Sequence, residues 1–596
     1  MYSLIPFLVL PSYIGLSNAA AVQVTVPTTP STSNVVHSNF LGISYELSFM
    51  TDYFGNDTDH ISTPMLNYLA NIRARTGNNP VRIRIGGNSA DSSPYLDTAS
   101  SPMVQLQQGT FNANDQPVTY NPMLWQVMAS VSKSVDGVSY VINVPLGIAP
   151  NASMANDMRN ILGSNLDSML LGNEPDLYSL HRQYFNHFRL DQLDCTSVGK
   201  RPQNWTVDDY FGEYTAAIST IGADDSAGAP DIGGPSYCCF GDLAALLQAG
   251  YLTKFSSAIK YIVLQHYPQA NCPPNGFQYQ LPYYLQHSNV VTLAQWQKPG
   301  IDYLLSQPEP RPQLINSEFN SASCGGVPFS PTFAVGSLWS VDYALQMATV
   351  GYDQAYIHTR ESGISYNILA PPKGPPGTAG DWTTNSPYYS LLVMAEALRT
   401  DHGAIVSDLN LGGSSTNPAA TSSAYAVYNQ GNKTVSRLII FNYANSTQDF
   451  SLRKEVFSSS GTALVKFLSA ATPEEETNIS WGGESWSTSA VTDGKTTIKP
   501  SWAAPNQNLT GCSANGCTFT APGPSLAMVF LDDAQYQVIT TAISTTNNSS
   551  DSSGNASSSG SPGGAKGTGG ALGLNGPSMT ALGVVLSLVT LTFFSL

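Results

Sequence analysis

The stretch QLINSEFNSASCGGVPFSPTFAVGSLWSVDYALQMATVGYDQAYIH, Gln313–His358, decides the fold. It opens on a short apolar run of strand length, Gln313–Asn316, and closes on a second, Gln354–His358. Between them, Thr332–Val350 repeats its apolar residues at helical spacing. Upstream, strand-like runs recur at Phe40–Glu46, Val81–Ile85, Ser139–Val144, Met169–Leu171, Ile232–Pro235 and Tyr261–Gln265. Helical periods separate them, among them Pro64–Thr76, Asn121–Ser132 and Val207–Ile221. Eight strands, each followed by a helical connection, predict an α/β fold of the (β/α)8 TIM-barrel type. A doubly wound open sheet is the alternative, but no glycine-rich phosphate fingerprint follows the first strand, and Gly86-Gly87 after the second is too short to be one.

Beyond about Ala404 the texture changes to short alternating runs, Ala424–Tyr428, Ser436–Tyr443 and Ser525–Leu531, between Gly, Asn, Ser and Thr turns. This predicts a C-terminal antiparallel β-sandwich. The expected organisation is a secretory signal over 1–21, a catalytic barrel over 22–400 and a sandwich over 401–538. The early run Val22–Val26 is placed to add a strand to that sandwich. A Ser/Gly-rich stalk covers 539–578, and an uncharged apolar tail, 579–596, ends the sequence.

Composition narrows the function. Net charge is −16, and only 11% of the 596 residues are charged, against about 25% in average soluble domains. No basic stripe exists to neutralise phosphates, which excludes nucleic acid as a partner. The apolar N-terminal run Leu4–Leu16 before Ala19-Ala20-Ala21 predicts secretion. Ten Asn-X-Ser/Thr sequons agree with it: Asn56, Asn151, Asn204, Asn432, Asn445, Asn478, Asn508, Asn547, Asn548 and Asn555. Small residues near Gly567–Ala571, a spacer and the terminal tail form a GPI-anchor signal, giving a cell-surface or cell-wall monomer that meets the membrane through lipid alone. Of seven cysteines, Cys512 and Cys517 are expected to staple a small loop. Cys195, Cys238, Cys239 and Cys272 are candidates to bridge long loops, leaving Cys324 as the odd thiol. No CxxC pair or His cluster has metal-ligand spacing, so neither metal nor cofactor is expected.

In the barrel reading, functional groups collect at the C-terminal ends of strands. Glu174, in LLGNEPDLY (Leu170–Tyr178), then closes strand four, and Glu318, in LINSEFNS, closes strand seven. Two carboxyl groups, one protonated and one ready to attack, are what glycosidic cleavage requires. Glu46, Asn88, Asp91, His266, Tyr267 and His358 fall at the same rim, with Asp91 and Asp176 expected as loop supports. Arg84 lies inside a strand among apolar neighbours and must therefore be paired. Tyr283, Tyr284 and Trp296 are aromatic enough to line a saccharide groove, though such residues more often pack a core.

With GISYELS, VRIRIGGNSADSS, LLGNEPDLY, LQHYP and the run from Ser317 to Thr359 in view, the chain resembles glycoside hydrolase family 79, the family of heparanase and the fungal β-glucuronidases. The resemblance covers most of 39–399 and implies a retaining β-glucuronidase. It implies that Glu174 is the acid/base, Glu318 the nucleophile and Asn173 the partner of the sugar 2-hydroxyl. Tyr267 would hold the nucleophile, with Arg84 beneath it and His266 in support, and Glu46 and Asn88 would meet sugar hydroxyls. The uronic carboxylate would be gripped by backbone N–H groups of Cys324-Gly325-Gly326 and by Tyr366, with His358 nearby. Ser323 departs from the pattern, standing where the fungal glucuronidases tend to carry a tyrosine that helps to bind the carboxylate. Two other functions fit the same sequence: a neutral-sugar glycosidase or cell-wall transglycosylase of the same clan, and a catalytically inactive surface protein that binds glycans.

Overall fold

The computed structural model describes residues 20–541 and 543, apart from 109–115, 180–199, 203, 223–230, 273–275, 374–379, 458–460, 487–492, 496 and 532–535. Cys195, the sequons at Asn547, Asn548 and Asn555, nearly all of the signal and most of the stalk with the whole tail lie outside the described residues. Within them, no helix is long and apolar enough to cross a membrane.

Eight parallel strands close a barrel: β1 (Leu41–Glu46), β2 (Val81–Gly86), β3 (Val138–Val144), β4 (Leu166–Leu171), β5 (Ile232–Tyr237), β6 (Ile259–Gln265), β7 (Gln313–Phe319) and β8 (Gln354–Thr359). Closure comes from β8 pairing with β1, His358 opposite Ser44. The barrel helices are α1 (Thr63–Thr76), α2 (Pro122–Ser134), α3 (Ala152–Leu162), α4 (Val207–Thr220), α5 (Leu243–Gln248), α6 (Lys298–Leu305), α7 (Ser340–Val350) and α8 (Ser386–Ala397). Their starts are written in local chemistry. Ser62 and Asn121 cap α1 and α2 by accepting from Met65 N and Met123 N, each with a proline in the first turn. Thr206 and Asp209 form a capping box on α4. A π-helical segment, Phe333–Trp339, precedes α7, so the predicted helix over Thr332–Val350 is wound in two ways.

Side-chain alternation sorts the barrel interior into layers. Low in the barrel, Val141, Leu170, Tyr261, Val263, Ile315 and Tyr356 make a buried apolar cluster of their own. Two residues further along the strands come Ser44, Arg84, Asn143, Gln265 and His358, all at most 3% exposed. The next step up places Glu46 and Arg360 at the rim. The core is therefore dry below and polar above, on the face where the strands end.

The larger sandwich sheet contains β9 (Ala404–Asp408), β10 (Ser422–Asn429), β11 (Val435–Asn442), β13 (Ala463–Ser469) and β15 (Ser525–Phe530), antiparallel, with short strands Ser480–Trp481 and Gln507–Leu509 added. The second sheet has three strands: Val22–Val24, β12 (Gln448–Leu452) and β14 (Cys517–Ala521). Val22–Val24 runs parallel to β12, with Val24 opposite Leu452. The larger sheet is apolar on both faces. Ala424, Ala426 and Tyr428 face Val24, Phe450 and Phe519 of the smaller sheet, while Tyr425 and Val427 join the barrel core.

Two buried ionic clusters cross from barrel to sandwich. Glu396 of α8 meets Arg75 of α1 at 2.8 Å, Lys466 of β13 at 2.7 Å and Trp481 Nε1 at 2.9 Å. Asp342 of α7 accepts from Tyr425 Oη at 2.6 Å and Tyr443 Oη at 2.8 Å, and faces His287 Nδ1 at 3.0 Å. His287 Nε2 in turn lies 3.2 Å from Asp408.

The cysteines correct two expectations. Cys324 is not the odd thiol: it is bonded to Cys272, which joins the loops after β6 and β7. Cys238 pairs with its neighbour Cys239 rather than bridging two loops, and Cys512 pairs with Cys517.

Candidate active site

Glu318 sits next to the end of β7 and points inward because the strand is irregular there. Pairing slips between Asn316 and Glu318 on the β6 side, and between Asn316 and Phe319 on the β8 side. With unbroken alternation from inward-facing Ile315, Ser317 would face the interior and Glu318 the outside; a bulge re-aims the carboxylate. Two donors hold it. Arg84 Nη1 donates at 2.5 Å to Oε2 and Tyr267 Oη at 2.7 Å to Oε1, while His358 Nε2 stands 3.8 Å away.

Arg84 is the hub. Fully buried, it donates through Nε to Asn143 Oδ1 (2.9 Å), through Nη1 also to Ser44 Oγ (3.0 Å), and through Nη2 to Asn173 Oδ1 (2.8 Å). Its pairing, required by the sequence, is thus met by one carboxylate and three neutral acceptors. The Gly86-Gly87 step makes room: a Cβ on Gly86 would stand 2.3 Å from Arg84 Nε, and one on Gly87 2.1 Å from Glu46 Oε2. That pair serves the polar layer and no phosphate.

Glu174 lies three residues past β4 in a left-handed conformation (φ 49°, ψ 52°), a sparsely occupied region for a side-chain-bearing residue. Burial raises its pKa well above the carboxylate range, and the charges of Glu318 and Asp176 push the same way. The Gln265 side-chain atom nearest it stands 3.0 Å from Glu174 Oε1. An ionised Glu174 needs the amide nitrogen there. A protonated Glu174 instead donates to the amide oxygen, which frees Gln265 Nε2 to donate to Asn173 Oδ1 at 3.0 Å. The raised pKa favours the second arrangement.

The remaining candidates fall into place around this pair. Asn173 gives one Nδ2 hydrogen to Asn88 Oδ1 at 2.8 Å, which orients the amide whose oxygen faces Arg84. Glu46 accepts from Ser89 N at 2.9 Å and from Ser89 Oγ, and faces His358 Nε2 at 3.5 Å. Burial opposes its charge, but the bonds from His358 and Ser89 and the charge of Arg360 hold its pKa down at about 2. Tyr366 packs edge-on to His358, and Asn320 Nδ2 ties the two backbones by donating to both carbonyls. His266 stacks flat on Trp296 with ring centres 4.1 Å apart, and burial lowers its pKa to about 4; its backbone N–H supports Glu318 O. Tyr284 is a core residue whose hydroxyl donates to Ser321 O, and Tyr283 stacks on Tyr279. Asp91 accepts from Leu146 N and Gly147 N, and Asp176 from Cys239, Phe240 and Gly241 N, both as loop supports.

Beyond Glu318, Cys324, Gly325 and Gly326 follow one another at φ 57°, 88° and 85°. Ser365 Oγ donates to Gly325 O and Asn271 Nδ2 to Gly326 O. Ser323 pairs with Ala270 across the loops that the Cys272–Cys324 bond joins.

Comparison with known proteins matches residues 424–528 to the C-terminal beta domain of glycosyl hydrolase family 79. A beta-glucuronidase of Neurospora crassa is 27% identical over 461 residues, 71% of this chain and 75% of its own length. Among solved structures, a 4-O-alpha-L-rhamnosyl-beta-D-glucuronidase from Fusarium oxysporum superposes with a TM-score of 0.64 at 20% identity, covering 86% of this chain and all of that one. A family 51 alpha-L-arabinofuranosidase of Bifidobacterium longum shares the fold at a TM-score of 0.55 and 11% identity, with the same coverage.

Two members of this site escape the sequence reading. Gln265, the last residue of β6, stands between Asn173 and Glu174. Arg360 follows β8, two positions beyond His358 and so on the same face by alternation; it is 6% exposed and paired with Glu361 at 3.0 Å. The signal for both was present in the period of two, since Val263 and His358 already pointed inward.

Proposed function

We propose that this chain is a family 79 hydrolase, a retaining exo-β-glucuronidase that removes terminal glucuronic acid, or its 4-O-methyl form, from glycans. What carries the reading is the pair of carboxyl groups in unlike settings: Glu174, its pKa raised by burial and by Glu318, and Glu318, hydrogen-bonded by Arg84 and Tyr267. In the first step Glu318 attacks the anomeric carbon while Glu174 gives its proton to the departing oxygen. In the second, Glu174 takes a proton from water, whose oxygen displaces Glu318. Arg84 and Tyr267 hold Glu318 in place throughout, and Asn173 is placed to donate to the sugar 2-hydroxyl, where charge builds in the transition state.

The uronic carboxylate needs a cationic or N–H-rich partner. Arg360, near Tyr366 and Glu46, supplies a charge the sequence reading lacked and compensates for Ser323. Tyr366 and the amide of Gly326 complete the grip, since the Gly325 carbonyl, held by Ser365, turns the adjoining trans-peptide N–H of Gly326 the opposite way. Delivery to the cell surface through the signal and a GPI anchor, as a monomer, is part of the same proposal, and three disulfides agree with an oxidising compartment.

The test is release of nitrophenol from β-glucuronide and β-glucoside, with a 4-O-rhamnosylated glucuronide in parallel. Turnover confined to uronides supports the reading; a glucoside preferred by folded enzyme refutes it.

A further inference from the structure

The sandwich carries an open groove of about 660 Å³ that the barrel site does not use. Phe467, Ala470 and Pro522 contribute its apolar lining, Trp502 and Pro505 stand along it, and Glu475 and Asn478 also line it. Trp502 is 43% exposed in a protein that buries Trp125, Trp339 and Trp481 to 1%. An indole left that open beside an apolar channel calls for a cover.

Asn478 is the acceptor of an N-glycosylation sequon, Asn478-Ile479-Ser480. Its side-chain nitrogen donates to Glu475 Oε1 at 3.2 Å, and the same oxygen accepts from Asn478 N (2.9 Å), Thr477 N (3.1 Å) and Thr477 Oγ1 (3.1 Å). Attachment of a sugar replaces one of the two amide hydrogens and keeps the other. The bond to Glu475 survives when the sugar takes the hydrogen turned away from it; it then fixes the amide plane, and the glycosyl bond leaves on the side turned from Glu475.

We propose that an N-glycan on Asn478 lies in this groove with its first N-acetylglucosamine against Trp502. The C–H face of a pyranose is apolar and suits the indole, while hydroxyls and amides at Ser501, Gln507 and Thr520 meet its polar edge. The attached glycan is favoured over a free polysaccharide because further sequons flank the groove. Thr447, which completes the Asn445 sequon, lines it, and Gln507 precedes Asn508. The inference rests on secretion, not on the glucuronidase reading.

The test uses the full chain from a eukaryotic secretory host, with occupancy of each sequon read by peptide mass spectrometry. Glycan release by peptide N-glycosidase under native conditions is then timed at Asn478 and at Asn432, an exposed turn residue. Release at Asn478 is expected to be slower by about tenfold, the scale of one aromatic contact. Trp502→Ala is expected to abolish that difference while glucuronide turnover stays unchanged, and denaturation to equalise all sites. Equal native rates overturn the proposal, as does an empty Asn478 beside an occupied Asn432. Absence of glycan at every sequon overturns it through its premise. An empty Asn478 with Trp502 fluorescence that responds to added oligosaccharide would assign the groove to a free saccharide instead.

Discussion

Glu174 keeps its proton because three effects agree: burial, the negative charge of Glu318 and that of Asp176. An acid held this way loses activity as pH rises through its pKa, so the alkaline limb of kcat/KM belongs to Glu174. Glu174→Gln is expected to lower turnover of a glycan by about 10²–10⁴-fold, the range for general acids, and to remove that limb. Aryl glycosides with good phenolic leaving groups should show a smaller loss in the first step. The same substitution bears on stability. A carboxyl whose folded pKa is raised stabilises fully only below its unfolded value, near pH 4.5. That contribution is lost as pH rises through the folded pKa. At neutral pH, Glu174→Gln should therefore raise Tm, and a Tm equal to or below wild type would contradict the assigned burial. Arg360→Gln tests the other residue-scale assignment. Removing one partner of a desolvated charge pair costs 2 kcal/mol or more, so kcat/KM on a uronide should fall by about 10²-fold while that on a glucoside holds. An equal fall on both would make Arg360 a scaffold for Glu46 and Tyr366 rather than a partner of the substrate.

At the scale of elements, the site depends on departures from regularity. The bulge in β7 brings Glu318 inward, the left-handed turn after β4 places Glu174, and three successive positive-φ residues carry the Cys324–Gly326 loop. Period and propensity describe regular elements, which is why eight strands and the Thr63–Thr76 and Pro122–Ser134 helices were legible in the sequence to within a few residues. The two glutamates were legible because their flanks are strand ends. The period of two gives Arg360 and Gln265 an inward face, but nothing in a linear pattern says which interior layer a residue reaches, so neither was picked out. The Cys272–Cys324 bond was missed for a related reason: 52 residues separate the two cysteines, and only the adjacency of β6 and β7 brings their loops together. In the chain-entropy view a bridge of that span contributes about 4 kcal/mol. Replacing both cysteines with serine is expected to lower Tm and to reduce kcat/KM on uronides more than Glu318 labelling by a mechanism-based inhibitor, because the loop holding Gly325 and Gly326 loosens while Glu318 stays in its strand. Labelling lost in step with turnover would show that the bond supports β7 itself.

Across the whole molecule, barrel and sandwich are joined by a sheet that is apolar on both faces and by two buried ionic clusters, so neither part presents an independent core. The alternation along β10, with Ala424 and Ala426 toward the small sheet and Tyr425 and Val427 toward the barrel, was visible as an almost unbroken apolar run, but a run of that kind does not say what covers its second face. The cluster around His287 sets how this joint responds to pH. Burial disfavours the imidazolium, yet Asp342 and Asp408 more than offset it and raise the pKa to about 10. A raised pKa of this sign stabilises fully below the unfolded value of 6.5, and the contribution is lost as pH climbs through about 10. Wild-type Tm should thus fall between those limits, a window in which exposed carboxylates no longer titrate. His287→Gln keeps a neutral donor beside Asp342 but removes the charge. It is expected to lower Tm at pH 6 by the equivalent of about 3–5 kcal/mol, the cost of breaking a buried pair. By pH 10 the two proteins should approach one another. Parallel Tm curves across that range would mean that His287 holds the joint through packing on Tyr425 rather than through its charge.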